Sequence, residues 1–347
     1  MKVRKAIENV TAYPIKSTLR RGSIRLDLNE STRGCSPKVL AALQKMTWED
    51  VGAYPEYPEL KAKTAAILGV SPEKLLFTNG ADDAIRSLMQ TYIDPGDEVV
   101  LADPTFGIIP IHASVMSATL RSVAYQPDFA FPMDGYLQAI SQKTKLVSIL
   151  RPDSPTGAVI NPDQLRELLL AAPDALVMLD ETYHHFLDES LVQWVDEFPN
   201  LVVLHSFSKA YCLAGIRCGL IIANTPVIDE VRKVDPPFSL SSPGVIAIGA
   251  ALDDPEHVQW VVEDVRTEKR RLIAQLEAFG WKTHDTDANF ILVNFGTAAA
   301  SITEKLAENR ILIKNLSGIP LLRGWCRIAI GTRDEHQQLF DVLPTIR

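Results

Sequence analysis

The chain has 347 residues, 46% of them hydrophobic and 22% charged, a balance that supports a large buried core and suggests two domains or one domain with an appendage. Its 43 acidic and 35 basic side chains leave a net charge of -8, which argues against nucleic acid or an anionic membrane as the main partner while allowing a local basic pocket for a small anion. The four cysteines (Cys35, Cys212, Cys218, Cys326) are scattered without a CxxC pair, so neither a disulfide framework nor a metal site is expected. The opening MKVRKAIENV lacks the apolar core of a secretory signal, no apolar run approaches membrane-spanning length, and the expected setting is cytoplasmic.

Residues 1–34 are mixed: a short helix over Lys2–Asn9, an arm broken by Tyr13-Pro14, and a strand over Ile24–Leu28 that runs into the polar turn Asn29-Glu30-Ser31-Thr32. Ser36-Pro37 opens a helix to Leu43, with serine as N-cap and proline in the first turn. Val51–Pro58 holds too many prolines for a regular element and reads as an ordered loop. From Glu59 onward helices alternate with short apolar strands. Leu60–Leu68 is helical, and strand Leu75–Thr78 runs through Asn79-Gly80 into a helix ending near Tyr92. Strand Glu98–Leu101 follows, then Pro104-Thr105-Phe106 opening a helix, then four more apolar runs: Leu146–Leu150, Ala175–Leu179, Leu201–Leu204 and Gly219–Ala223. Such runs, separated by helices, imply an α/β fold with a mainly parallel sheet covered on both faces. After Pro236-Pro237 a long helix runs from Glu256 to Phe279. A smaller α/β unit then forms from strands Phe290–Asn294, Ile311–Lys314 and Cys326–Ile330, a helix over Ala298–Asn309 and a last helix from Asp334. The expected division is an arm over 1–45 packing partly with the small unit, a large unit over 46–237 and a small unit over 238–347.

Loops after the strands of a parallel sheet converge on one edge, where ligands bind. Four such loops carry polar chemistry. In Thr78-Asn79-Gly80-Ala81-Asp82 a glycine precedes a helix N-terminus whose free N–H groups suit an anion, although a plain Asn-Gly turn has the same spelling. Arg151-Pro152-Asp153-Ser154-Pro155-Thr156-Gly157 is a rigid loop that orients a polar side chain or is simply a turn. Leu179-Asp180-Glu181-Thr182-Tyr183 places a carboxylate at the end of a buried strand, where it needs a cation or acts as a helix N-cap. Finally, Leu204–Gly219, LHSFSKAYCLAGIRCG, sets Lys209 beside Ser206 and Ser208 and ahead of Arg217. A lysine held between two strands is placed to form an imine with an aldehyde, and hydroxyls with a guanidinium suit a phosphate on the same molecule. An anion site, an aromatic lid (Phe106), a buried carboxylate with a tyrosine, and this lysine together meet the needs of pyridoxal 5′-phosphate.

The motifs TNGADDAI, DPTF, SPTG, LDETYHHF and SFSKAYCLAGIRCG resemble the fold-type I pyridoxal-phosphate enzymes of the class I/II aminotransferase group, most closely the histidinol-phosphate aminotransferases. The resemblance spans nearly the whole chain. It implies that Lys209 is the imine-forming lysine, that Asp180 pairs with the pyridine nitrogen, that Tyr183 contacts the ring hydroxyl and that Phe106 stacks on the ring. It implies a phosphate cradle of Gly80, Ala81, Asp82, Ser206, Ser208 and Arg217, with Tyr54 reaching the cofactor of a partner subunit in a homodimer. Tyr13, Asn29, Glu30, Lys314 and Arg327 fall where the family binds substrate, a small amine or amino acid and a 2-oxo acid. Two positions depart from the pattern. Ser154 stands where the family has an asparagine that supports the ring oxygen, and Lys314 replaces an arginine, keeping charge but losing bidentate recognition. The implied activity is amino transfer; a lyase (decarboxylase or cyclising dehydratase) is the alternative on the same fold. A regulator that merely senses the cofactor would need a basic DNA-binding appendage, for which the chain has neither length nor charge.

Overall fold

Two sheets organise the chain, and which residues enter them follows from burial on one face or two. The computed structural model describes residues 1–8, 10–14 and 20–345, and part of the expected helix at Lys2–Asn9 therefore lies outside the described residues. In chain order the strands are β1 (Ile24–Leu26), β2 (Leu75–Thr78), β3 (Glu98–Asp103), β4 (Thr119–Ala124), β5 (Thr144–Leu150), β6 (Leu176–Asp180), β7 (Leu201–Ser206), β8 (Gly219–Ala223), β9 (Lys282–His284), β10 (Phe290–Asn294), β11 (Ile311–Asn315) and β12 (Trp325–Ala329).

Seven of them form the large sheet in the order β2-β8-β7-β6-β5-β3-β4. All neighbours are parallel except β8, which runs antiparallel to both β2 and β7. Its strands read as continuous apolar runs because both faces are covered. Val177, Leu179, Val203 and Ile222 join one core with the helices Pro58–Leu68, Pro162–Ala171 and Ser242–Leu252. Met178, Val202, Leu204 and Ile221 join another with the helices Ala81–Tyr92, Ile108–Val115 and Thr225–Val231. Each fully buried Val, Leu or Ile contributes about 1.5–3 kcal/mol relative to exposure. The second sheet, β1-β11-β12-β10-β9, packs on the long helix Pro255–Ala278 and the helices Ala299–Glu308 and Arg333–Val342. In it β1 lies parallel to β11, so the N-terminal arm completes the smaller sheet. No helix of the described residues is long and apolar enough to cross a membrane.

The differences from the sequence reading are local. A helix over Trp48–Gly52, closed by the Thr47/Asp50 capping box, takes the first part of the expected loop, and Pro58 opens the next helix. The helix expected at Pro104 starts only at Ile108. Strand β4 was not foreseen: only Val123 in it is buried, as suits an edge strand with little apolar pattern.

Two buried features set the edge of the large sheet where β2, β5, β6 and β7 end. First, Gly219 opens β8 opposite both Thr78 and Ser206. A Cβ there would sit 2.5 Å from the Ala81 nitrogen and the Gly80 carbonyl carbon, so only glycine lets β8 approach the turn into helix Ala81–Tyr92. Second, the loop after β5 hangs on Asp153, whose carboxylate accepts from Thr105 Oγ1 at 3.0 Å and Tyr125 Oη at 2.6 Å. Burial pushes this carboxyl up to about 7, against the pull of its two hydroxyl donors.

Gly219→Ala should therefore destabilise the chain by about 1–3 kcal/mol in urea unfolding, because the clash is with backbone. Gly215→Ala, where nothing lies within 4 Å, should change stability little; equal losses in both would remove the close-approach argument. Asp153 gives a pH signature. Folding raises its pKa from 3.8 to about 7, so the folded chain binds more protons than the unfolded one between those values, and stability falls as pH rises through them. Relative to wild type, Asp153→Asn should gain on the order of a few kcal/mol between about pH 4 and about pH 8. Parallel stability curves for the two proteins would show that Asp153 stays ionised throughout.

Candidate active site

At that edge the loops after β2, β5, β6 and β7 surround a cavity of 410 Å³. The residues lining it include Ala81, Asp82, Phe106, Ser154, Asp180, Tyr183, Ser206, Ser208, Lys209 and Arg217, and from the arm Tyr13 and Glu30. Most of the residues singled out in the sequence thus come to one place.

Asp180, the last residue of β6, is 4% exposed. Its carboxylate accepts the Thr182 N–H at 2.9 Å, and no cation of the described residues pairs with it. Burial pushes its pKa up, opposed by the Thr182 bonds. A buried carboxylate without a counter-ion is costly, and a cationic ring nitrogen in the cavity is a partner that relieves it. Lys209 lies on the loop between β7 and β8, its Nζ donating to the Leu28 carbonyl at 3.3 Å and standing 5.9 Å from the Tyr183 ring centroid. The Tyr183 hydroxyl accepts from Asn29 Nδ2 at 2.8 Å. Asn29 has φ 55 and is almost wholly buried; its carbonyl takes Asn289 Nδ2 at 3.0 Å. It thus holds Tyr183 from behind and does not line the cavity.

One end of the cavity is built for an anion. Gly80, at φ 89, is the N-cap of helix Ala81–Tyr92 and supplies no capping side chain, so the first-turn N–H groups of Ala81 and Asp82 keep their donor capacity. Beside them Arg217, itself in the left-handed region at φ 57, reaches Asp82 at 3.3 Å and the Ala214 carbonyl at 3.2 Å. A side chain at Gly80 would collide with that guanidinium. Ser206 and Ser208 are buried, and the Ser206 hydroxyl accepts the Ser208 N–H at 3.2 Å. These donors and the buried Asp180 fit the phosphate and the ring nitrogen of one pyridoxal phosphate.

Behind Ser154, and not itself lining the cavity, Arg327 on β12 donates to Ser154 Oγ at 2.7 Å and to the Asp27 carbonyl at 2.8 Å, and its Nε has no partner among the described residues. Tyr13 packs edge-on to Phe106 at 6.0 Å, its hydroxyl pKa raised by burial and pulled back by Arg327. Glu30 pairs with Arg20 at 3.2 Å and Arg25 at 3.3 Å. Besides Asn29 and Arg327, the expected residues Gly80, Lys314 and Tyr54 do not line the cavity, although Gly80 directly precedes the helix whose first turn does. Lys314 is the register partner of Arg327 across β11 and β12 but does not line the cavity. Tyr54 is 77% exposed and stacks on Phe238 at 4.2 Å, outside this chain's own cavity. Sequence reasoning missed Thr182, Leu28, Ile108 and Ala214. For Thr182 the signal was present, since an aspartate carboxylate commonly accepts the backbone N–H two residues on.

The family model for aminotransferase class I and II matches residues 21–343. The histidinol-phosphate aminotransferase of Shigella flexneri serotype 5b is 34% identical, over 98% of this chain and 96% of that protein. Among solved structures, histidinol-phosphate aminotransferase from Sinorhizobium meliloti, in complex with pyridoxal-5′-phosphate, superposes with a TM-score of 0.86 at 26% identity, covering 93% of this chain and 90% of that one. L-threonine-O-3-phosphate decarboxylase from Porphyromonas gingivalis shares the fold at a TM-score of 0.79 and 21% identity, covering 93% and 98%. The chain belongs to the aminotransferase class I and II family, and it is a pyridoxal-phosphate-dependent aminotransferase of fold type I.

Proposed function

We propose that the chain transfers the amino group of a small amine bearing an anionic group, of the histidinol-phosphate type, to a 2-oxo acid. The observation that carries this reading is the placement of Lys209 and a counter-ion-free Asp180 in one cavity, with an anion cradle at one end and, in its lining, Ser154 held by Arg327 from behind. The likeness to the Shigella enzyme over nearly the full length supports the donor.

Bound pyridoxal phosphate supplies an electron-poor ring that takes up the electron pair released when the bond to hydrogen at the amine-bearing carbon breaks. The chain's residues do the rest. Asp180 would keep the ring nitrogen protonated, Tyr183 would hold the ring hydroxyl, and Phe106 would lie on the ring. Gly80, Ala81, Asp82, Ser206, Ser208 and Arg217 would hold its phosphate. Lys209 would anchor the aldehyde and, once displaced by the substrate amine, move the proton at the amine-bearing carbon as general base. Asn29 positions Tyr183. Tyr13, Glu30 and Arg327 would bind the substrate, and Lys314, beside Arg327, would add positive charge behind it. The exposed Tyr54 would complete the site of a second copy in a homodimer. The chain would divide into the arm 1–45, a large unit 46–237 and a small unit 238–347, with helix Ser242–Leu252 packed back on the large core. A cytoplasmic setting suits this chemistry.

Lys209→Ala should lose the visible absorbance of the bound cofactor, and turnover should fall by about 10²- to 10⁴-fold or more. Wild-type turnover in that variant would dismiss Lys209 from this role. In a single-turnover screen of amines, histidinol phosphate should convert the cofactor to pyridoxamine phosphate. Conversion by other amines only would refute the donor, and return of the starting spectrum with loss of carbon dioxide or water would favour a lyase.

A further inference from the structure

Three of the chain's seven histidines, His184, His185 and His205, meet on the side of β6 and β7 turned away from the cofactor cavity. The reason is the alternation of a strand and its turn: His205 precedes Ser206, Glu181 follows Asp180 and His184 follows Tyr183, so each active-site residue has a neighbour aimed behind it. The rings of His184 and His205 stack at 4.0 Å, and those of His184 and His185 lie 3.9 Å apart, tilted by 38°. They line a cavity of 140 Å³ together with Thr64, Tyr211 and Leu252. No step of amino transfer uses these side chains.

We propose that Glu181, His184 and His205 form a binding site for a divalent d-block cation such as Zn²⁺ or Co²⁺. Their ligand atoms all lie within 4.8 Å of one another. Glu181 Oε2 and His205 Nε2 stand 3.1 Å apart, close to the separation of about 3.3 Å between neighbouring ligands of a tetrahedral ion with bonds of about 2.0–2.1 Å. The Glu181 carboxylate is oriented by the Leu191 N–H at 2.8 Å and the Ser190 hydroxyl at 2.5 Å, and the buried Arg151 guanidinium lies 3.7 Å from its Oε1, so a metal ion would share this carboxylate with Arg151. His184 Nδ1 lies 2.8 Å from the Glu181 carbonyl, an acceptor only, so Nδ1 carries the proton and Nε2 keeps its lone pair. A backbone carbonyl fixing one ring nitrogen is the usual companion of a metal-binding histidine. Because the His184 and His205 rings are stacked, the His184 ring would have to turn for its Nε2 to reach an ion held by Glu181 and His205.

An entry path exists. The histidine cavity shares Ile67, Tyr211 and Leu252 with a groove of 610 Å³ whose mouth carries Asp188, Glu189 and Glu263 beside Arg266. These three carboxylates are ion-paired with Arg151 and Arg266, which leaves the mouth with one more carboxylate than cations. Oxygen-loving ions such as Mg²⁺ do not suit an imidazole set, whereas Zn²⁺, Co²⁺ and Ni²⁺ do.

The test is equilibrium dialysis of metal-stripped holoenzyme against CoCl₂, with visible ligand-field absorbance as the second readout. About one Co²⁺ per chain should bind with a dissociation constant on the order of 10 μM, with the absorbance of a low-coordinate ion. His184→Gln and His205→Gln should each weaken binding about tenfold or more, whereas His257→Gln, at a separate histidine, should not. Substoichiometric binding by the wild type at about 1 mM Co²⁺, or binding that survives both substitutions unchanged, would overturn the proposal. The wild-type measurement decides by itself if a variant does not fold.

Discussion

The buried carboxylate of Asp180 governs the rest of the structure. It ends a strand buried on both sides and receives the Thr182 N–H but no cation from the described residues. A charge in that position raises the free energy of the folded chain by several kcal/mol unless something in the cavity compensates it. The direction of its shift, up and driven by burial, is the same statement in terms of protons. Binding a cationic ring therefore does two things at once: it orients the ring and removes an electrostatic penalty, so holoprotein formation and folding are linked. Gly219 brings β8 against the turn after β2, so that the anion cradle sits at a fixed distance from the strand end that carries Asp180.

The small sheet is attached to this edge through its own polar side chains. Asn29, just past β1, holds the Tyr183 hydroxyl, and Asn289, just before β10, holds the Asn29 carbonyl. Arg327, in β12, crosses to Ser154 of the large unit. These bonds are buried, so losing one partner leaves the other unsatisfied, at about 1–3 kcal/mol per group. They give the two sheets a defined mutual register where a purely apolar contact would tolerate sliding. The register matters because the cavity takes its walls from both.

How much of this was legible in the sequence depends on how many faces of an element are buried. Strands β2, β8 and β10 were read at their observed ends, whereas β5, β6 and β7 run past their apolar cores into Thr144-Lys145, Asp180 and His205-Ser206, polar residues that the reading left to the loops. Edge strand β4, with one buried residue, carries no such signal. Helix Ser242–Leu252 went unread for the opposite reason: SPGVIAIGAAL is apolar almost all round, so periodicity has nothing to detect. In the site, polar residues following strand ends were legible from position alone. Tyr13, Glu30 and Arg327 were reached only through the family resemblance, because no spacing rule relates an N-terminal arm to a strand three hundred residues later. Leu28, Ile108 and Ala214 line the cavity through tertiary packing and had no local mark. The histidine cluster was on view in LDETYHHF and LHSFSK, but its meaning needed the register that sets His205 beside Glu181.

Ser154 joins the cavity it lines to Arg327 behind it through a single hydroxyl. An asparagine amide can donate on one side and accept on the other, so it can satisfy a ring oxygen and a neighbouring guanidinium together. A serine hydroxyl has one hydrogen, and here its oxygen accepts from Arg327 at 2.7 Å, leaving the O–H free to point towards the cavity that Ser154 lines. The hydroxyl is thus polarised by a charged donor, which strengthens the one bond it can still give. Arg327 in turn is fixed by Ser154 and the Asp27 carbonyl and keeps Nε without a partner in a buried setting. An arginine held in place with one donor unsatisfied is prepared for an anion and costs free energy in its absence. A substitution at Ser154 therefore acts both on the cavity it lines and on the placement of Arg327.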